Sequence, residues 1–283
     1  MSVIVTAASG QLGTLVVEAL LARGASEIIA TSRNTSALST FAERGVDVAA
    51  LDYTKPETVT AVVKPGDTLV LISGTELGQR AAQHSAVITA AKAAGVGRII
   101  YTSAPNATTS ALILAPEHKA TEEFLVASGV PYTILRNGWY TENYVGQIAN
   151  GREHGTITAS VGHGRVASAS RKDYAEAAAA AALDETLAGA TLELSGDYAW
   201  DFNELAAAIS QVIGTPVSFV SLSPEEHTAS LTAVGLDAGT IGFIVGLDAN
   251  IRDGLLGNTS GELAALIGRP TTPLAEGLAA TLA

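Results

Sequence analysis

The chain has no cysteine. That absence excludes disulfides, thiolate nucleophiles and cysteine metal sites, and it is compatible with a reducing compartment. Positive charge is also scarce: 16 Lys and Arg stand against 28 Asp and Glu, for a formal net charge of -12. Nucleic acid is therefore not an expected partner, because binding a phosphate backbone needs a basic face. No apolar run approaches the ~20 residues of a membrane span. The first residues read as strand and turn instead of a basic segment leading into an apolar one, so no signal peptide is visible and a cytoplasmic location is expected. His154 and His163 have no second ligand at metal spacing, and no Gly-x-Ser-x-Gly elbow occurs. Neither a metal site nor an α/β-hydrolase nucleophile is expected.

What is present starts at Val3, where a short β-branched run stops at the small residues Thr6-Ala7-Ala8-Ser9-Gly10 and opens into the helical pattern Leu12, Leu15, Val16, Ala19, Leu20. A buried strand, a tight turn and a helix N-terminus in this order form a cradle for a nucleotide pyrophosphate: backbone N–H groups approach the anion and the helix dipole favours it. Thr6, Ser9, Gly10, Gln11, Leu12 and Gly13 are the residues concerned. The same rhythm then repeats. Strands are expected at Ile28–Thr31, Val46–Ala50, Thr68–Ile72, Arg98–Thr102 and Tyr132–Leu135. The intervening helices are expected near Leu12–Ala22, Ser36–Glu43, Pro56–Val63, Gln79–Ala94 and Lys119–Ser128. Gly24, Gly45, Gly95 and Gly129 mark helix ends, and Thr54 with Glu57 has capping-box spacing. Alternation of this kind with short right-handed crossovers gives an α/β fold, a Rossmann-type doubly wound parallel sheet.

After Leu135 the pattern changes to loops rich in Asn, Gly and His and to shorter strands such as Val166–Ser168 and Thr191–Leu194. Helices start at Asp201 with Glu204 and at Ser223 with Pro224 and Glu226, both at capping-box spacing, and Ala175–Leu183 reads as a packed helix. A cofactor domain over residues 1–136 is thus expected, followed by a mainly C-terminal α/β substrate region over 137–283, some of whose segments return to the sheet.

In such a sheet the ligand lies across the carboxyl ends of the strands. After the second strand, Thr31-Ser32-Arg33-Asn34 has no acid to hold a ribose 2′-hydroxyl; Arg33 instead offers a charged fork to a 2′-phosphate, which favours NADPH over NADH. After the third, Asp52 and Tyr53 can meet an adenine, although Asp52 can equally belong to its own turn. Ser73, Gly74 and Thr75 follow the fourth strand on the path of the second phosphate and ribose, and Thr102 and Ser103 end the fifth toward the nicotinamide.

These residues, with Gln79-Arg80, Gln83-His84, Glu117-His118, Arg136-Asn137-Gly138-Trp139-Tyr140, Glu142-Asn143-Tyr144, Asp173-Tyr174-Ala175 and Pro270-Thr271-Thr272, resemble the NmrA-like atypical short-chain dehydrogenase/reductases. The likeness is greatest to their flavin-free bacterial NAD(P)H:quinone oxidoreductase branch, with triphenylmethane reductases near it. The resemblance implies NADPH as cofactor without flavin or metal, and a small C-terminal domain closing on a substrate. Two positions depart from the family pattern. Ala7 stands where the family turn has Gly, placing a methyl group at a point of positive φ or close backbone approach, and weaker cofactor affinity is the expectation. Aligning Lys119 with the general short-chain reductase lysine puts Ala115 at the place of the phenolic acid. A quinone suits that loss, since hydride addition gives a phenolate-level oxyanion that needs little acid help.

The expected catalytic groups are Lys119 near the nicotinamide ribose, or else a solvated helix residue, and Asn137 or His84 as polar contacts. Trp139, Tyr140 and Tyr144 are expected to line an aromatic-accepting pocket or to pack between the domains. The leading expectation is hydride transfer from NADPH to quinones or similar conjugated electrophiles. A dinucleotide-binding redox sensor and a reductase of triphenylmethane dyes, imines or activated carbonyls are the alternatives. The substrate is a small molecule, and the pattern leaves a homodimer open.

Overall fold

The β-branched runs become strands because both of their faces are covered, the condition under which parallel sheets are stable. The computed structural model describes residues 1–282. In chain order the elements are β1 (Val3–Val5), α1 (Gln11–Ala22), β2 (Ile28–Ser32), α2 (Ser39–Ala42), β3 (Asp47–Ala50), α3 (Pro56–Val62), β4 (Thr68–Leu71), α4 (Arg80–Ala93), β5 (Arg98–Ser103), α5 (Ala115–Ser128) and β6 (Tyr132–Asn137). There follow α6 (Val145–His154), β7 (Thr156–Ala159), α7 (Arg171–Leu183), β8 (Thr191–Leu194), α8 (Phe202–Ile213), β9 (Ser218–Ser221), α9 (Pro224–Ala233), α10 (Ala238–Arg252), α11 (Glu262–Ile267) and α12 (Leu274–Ala280).

Seven strands pair in the order β3-β2-β1-β4-β5-β6-β8, all parallel. The order reverses between β1 and β4, the point at which a doubly wound sheet opens a crevice for ligand. One sheet face packs on α1 and α7 through Val16, Val17, Leu20, Ala178 and Ala181; the other packs on α3, α4 and α5 through Val59, Val87, Ile88 and Leu125. A third core fills the C-terminal region around Tyr144, Trp200, Phe202 and Phe219, whose rings meet edge-on or tilted. There β7 and β9 form a two-stranded parallel sheet.

Several local expectations are corrected by competing hydrogen bonds. The Thr54 to Glu57 capping box does not form: Asp52 Oδ1 takes both the Thr54 amide at 2.9 Å and its hydroxyl at 2.7 Å, and Lys55 precedes the helix with no side-chain cap. Pro56 at the helix start has no N–H to satisfy, so that cap is less needed. Asn34 likewise draws Ser36 into a turn, so Ser36–Glu43 becomes a 3₁₀ turn followed by the short α2. Pro116 starts α5 at Ala115, four residues before the expected Lys119. Val166–Ser168 is no strand; Val166 makes a single bridge to Trp200. The capping boxes at Asp201 and Ser223 form, and a further one joins Ser170 and Asp173.

Candidate active site

The turn after β1 keeps a left-handed backbone although Gly is absent: Ala7 has φ of +48°. The closeness of the next helix explains why that shape is imposed. A Cβ on Gly13 would lie 2.2 Å from the Ala7 carbonyl oxygen, so α1 can seat itself only because residue 13 has no side chain. The N-terminus of α1 carries no side-chain cap and no acidic residue in its first turn, which leaves its amides and its positive end open to an anion. Leu12 is buried in the core, so only its backbone is available to a ligand.

From this turn a cavity of about 250 Å³ extends across the carboxyl ends of β2, β3 and β4. It brings together Ser9 and Gly10, then Arg33, then Asp52 and Tyr53, then Ser73, Gly74 and Thr75, residues that the sequence singles out on four separate connections. Arg33 is 72% exposed and lies 3.6 Å from Glu76, a residue the sequence reading missed. Asp52 spends one oxygen on Thr54, and those hydrogen bonds hold its carboxyl below the usual range. The Tyr53 ring lines the cavity while its hydroxyl donates to the Ile72 carbonyl at 2.7 Å. Thr6 is wholly buried beneath this floor, its hydroxyl donating to Val70 O and accepting from Ile72 N, so it shapes the turn and does not reach a ligand. Gln11 lies outside this cavity and lines a neighbouring groove with Thr14, Arg171 and Thr272.

The loop from Ser73 to Gln79 is tied down from below. Ser73 N donates to Thr102 Oγ1, Gly74 N donates to His84 Nε2, and Arg80 Nε donates to Gly74 O. Arg80 also pairs with Glu117 at 3.0 Å, and Glu117 accepts the Gly78 amide. His84 is thus not a substrate contact. It is fully buried, accepts through Nε2 and faces Thr121 through Nδ1, and burial, with Arg80 second, pushes its pKa down to about 3. His118 behaves alike: its Nδ1 meets the Tyr101 hydroxyl at 2.8 Å and burial first, then Arg80, lowers its pKa to about 3.

Lys119 takes the second of its two expected places, that of a solvated helix residue. It stands on the exposed face of α5 beside Glu123, 3.9 Å away, while the inward face carries His118, Thr121 and Glu122. Thr102 is taken by Ser73, and Ser103 donates to Glu122 at 2.5 Å. Glu122 in turn receives two bonds from Arg136, which reaches Glu193 at 2.8 Å. This buried acid-base-acid row is legible in sequence only as Glu122 falling on the apolar face of its helix. Asn137 ends β6, is 4% exposed, and its carbonyl oxygen has no hydrogen-bond partner.

Trp139 and Tyr140 separate because neighbouring side chains on extended backbone face opposite ways. Tyr140 turns to the sheet side against Tyr174, with Arg171 over its ring, whereas Trp139 lines a C-terminal cavity together with Tyr144. Among the described residues no His, Asp and Glu cluster could hold a metal ion, and no helix is long and apolar enough to cross a membrane.

Comparison with known proteins adds to this geometry. The NAD(P)H-binding family model matches residues 7–185. The chain is 43% identical over 273 residues to quinone oxidoreductase 2 of Escherichia coli, covering 96% of each chain. The crystal structure of the NADPH-dependent quinone oxidoreductase from E. coli complexed with NADPH superposes with a TM-score of 0.94 at 42% identity, over 100% of both chains. That of the Citrobacter sp. triphenylmethane reductase complexed with NADP(H) gives 0.91 at 36% identity, over 98% of this chain and 99% of the other.

Proposed function

The chain belongs to the NAD(P)H-binding family, and on that premise we propose that it reduces quinones or similarly conjugated acceptors with NADPH. It is an NADPH-dependent oxidoreductase of the quinone-reductase type. The observation that carries this reading is the cavity at the strand-order reversal, with an open helix N-terminus at one end and Arg33, without a competing acid at the end of β2, at the other.

The residues fit the cofactor. The amides of Ser9 to Gly13 would take the pyrophosphate and the Arg33 guanidinium the 2′-phosphate. Asp52 and Tyr53 would border the adenine, and Ser73 to Thr75 the second ribose. When bound, NADPH supplies a hydride, that is, two electrons and one hydrogen nucleus.

The chain's own contribution is positioning. His84 and Arg80 fix the Ser73–Thr75 backbone, and the Glu122–Arg136–Glu193 row fixes the end of β6, so Asn137 presents its carboxamide from a rigid strand. The unpartnered Asn137 oxygen is the group we assign to contact the reacting pair. The alignment of Lys119 with the short-chain reductase lysine offers no phenolic acid at residue 115, and a quinone tolerates that lack because its reduced oxyanion is weakly basic, so water can deliver the one proton that completes the hydroquinone. Reduction of this kind suits the cytoplasm, where reduced nicotinamide nucleotide is supplied, and the chain lacks the thiols that add most readily to quinones.

The test is NADPH oxidation followed by absorbance, with and without benzoquinone and beside NADH, on protein freed of flavin. Enzyme-dependent oxidation that prefers NADPH is expected. Tight NADPH binding with no turnover on quinones, dyes or imines would overturn the reading in favour of a sensor.

A further inference from the structure

The C-terminal cavity has a volume of about 270 Å³ and lies between the Thr141–Tyr144 turn, β7, α8, α9 and α10. This is just below the ~300 Å³ at which drug-sized sites begin, so it suits one or two fused rings. Trp139, Phe202, Leu231, Leu247 and Ile251 give it apolar walls. Among these walls stand three polar groups. Asp248 is a lone carboxylate on the apolar α10, buried, with Oδ2 accepting from Ser160 N at 2.6 Å and Ser160 Oγ at 2.9 Å. His227, buried on α9, places Nδ1 2.9 Å from the same oxygen. The Tyr144 hydroxyl is buried beside them with no hydrogen-bond partner.

A buried hydroxyl left without a partner is costly, and native proteins rarely keep one without a use. Asp248 lies against the Nδ1 edge of the imidazole at 2.9 Å, yet Nδ1 makes no hydrogen bond, so His227, like Tyr144, holds a buried polar atom without a partner. Along the chain the cavity wall lies close to the end of β6: only Gly138 separates Trp139, which lines it, from Asn137.

We infer that this cavity seats the acceptor's conjugated ring, with the Tyr144 hydroxyl donating to a ring oxygen and the His227 imidazole, beside Asp248, selecting rings that carry oxygen substituents. The inference rests on the quinone reading and sharpens it: these residues would set which acceptors are used.

The test titrates cofactor-free protein calorimetrically with 1,4-naphthoquinone and with naphthalene, its oxygen-free counterpart, for the wild type, Tyr144→Phe and His227→Phe. Neither ligand turns over without NADPH, and the chain has no thiol to add to the quinone ring. Tyr144→Phe removes only an unpartnered hydroxyl, so it keeps the fold. Each variant is expected to bind naphthoquinone about tenfold more weakly while naphthalene and NADPH affinities hold, and the quinone KM is expected to rise more than kcat falls. Unchanged naphthoquinone affinity in both variants, with quinone-dependent NADPH oxidation intact, overturns this assignment and leaves the reductase reading standing. Naphthoquinone bound through Tyr144 by a wild type that never oxidises NADPH upholds the ring site and overturns the reductase reading instead.

Discussion

Arg33 should decide between NADPH and NADH, and its neighbour Glu76 should oppose it. The guanidinium is 72% exposed and its partner carboxylate 52%, at 3.6 Å. A pair so exposed contributes ~0–1 kcal/mol, so giving it up for a doubly charged phosphate costs little. Charged hydrogen bonds to the phosphate are worth ~1.5–3 kcal/mol, and the exposure of Arg33 argues for the lower end. Arg33→Ala should therefore weaken NADPH binding about tenfold, by ~1.5 kcal/mol, with NADH almost unaffected.

Glu76→Gln works in the opposite direction. It removes a negative charge from the same cavity wall and keeps an oxygen for Gln83, whose Nε2 donates to Glu76 at 2.8 Å. NADPH binding should tighten up to about fivefold, within the ~1 kcal/mol of an exposed pair. The assay is calorimetric titration of cofactor-free protein with each nucleotide at low and high salt, since contacts this exposed must weaken as salt rises. Equal losses for both nucleotides in Arg33→Ala, or weaker NADPH binding in Glu76→Gln, would refute the 2′-phosphate assignment.

Three further outcomes follow from the geometry. Ala7→Gly should raise the melting temperature and NADPH affinity, because relief of a left-handed Ala, ~1–2 kcal/mol, exceeds the ~0.5–1 kcal/mol entropy penalty of Gly; a lower melting temperature would contradict the strain argument. Gly13→Ala should cost ~1–3 kcal/mol in denaturant unfolding and abolish NADPH binding, since the added Cβ meets the Ala7 carbonyl at 2.2 Å and α1 must move. His84 and His118 have folded pKa values near 3, below the unfolded 6.5, so the unfolded chain takes up protons between these values and the native one does not. Their contribution is complete above pH 6.5 and is lost as pH falls, by about 2 kcal/mol each between pH 7 and 5. Urea unfolding should show that slope, and replacing either histidine by Gln should flatten it by one proton.

The sequence made the sheet legible because most strands are short apolar runs rich in β-branched residues and several of the helices between them end at Gly, and the cofactor crevice follows from whatever stands after those strands. Arg33, Asp52 and Ser73 were therefore readable one by one. His84 was misplaced, and Lys119 left between two places, for a different reason: both lie on helices, and a one-residue rotation of ~100° decides whether a side chain faces solvent, a loop or the core. His227 and Asp248 were invisible because their meaning lies in a contact between two helices far apart in sequence from Tyr144. A single carboxylate in the apolar run Gly242–Leu247 to Ala249 was the available signal, and it points to burial without naming a partner.

The pairing of α7 with α1 has a consequence for the order in which the molecule is made. The buried alanines of α7 cover the face that α1 and β1 present, and β8 closes the sheet beside β6. Both elements emerge from the ribosome after the complete nucleotide turn and after the first passage through the C-terminal region. At ~5–20 residues per second the nascent N-terminal half waits several seconds with one apolar sheet face covered by α1 alone. During synthesis, then, the cradle for the cofactor exists as sequence well before it exists as a surface, and a nascent chain stalled near residue 136 would offer chaperones a greasy flank instead of a dinucleotide site.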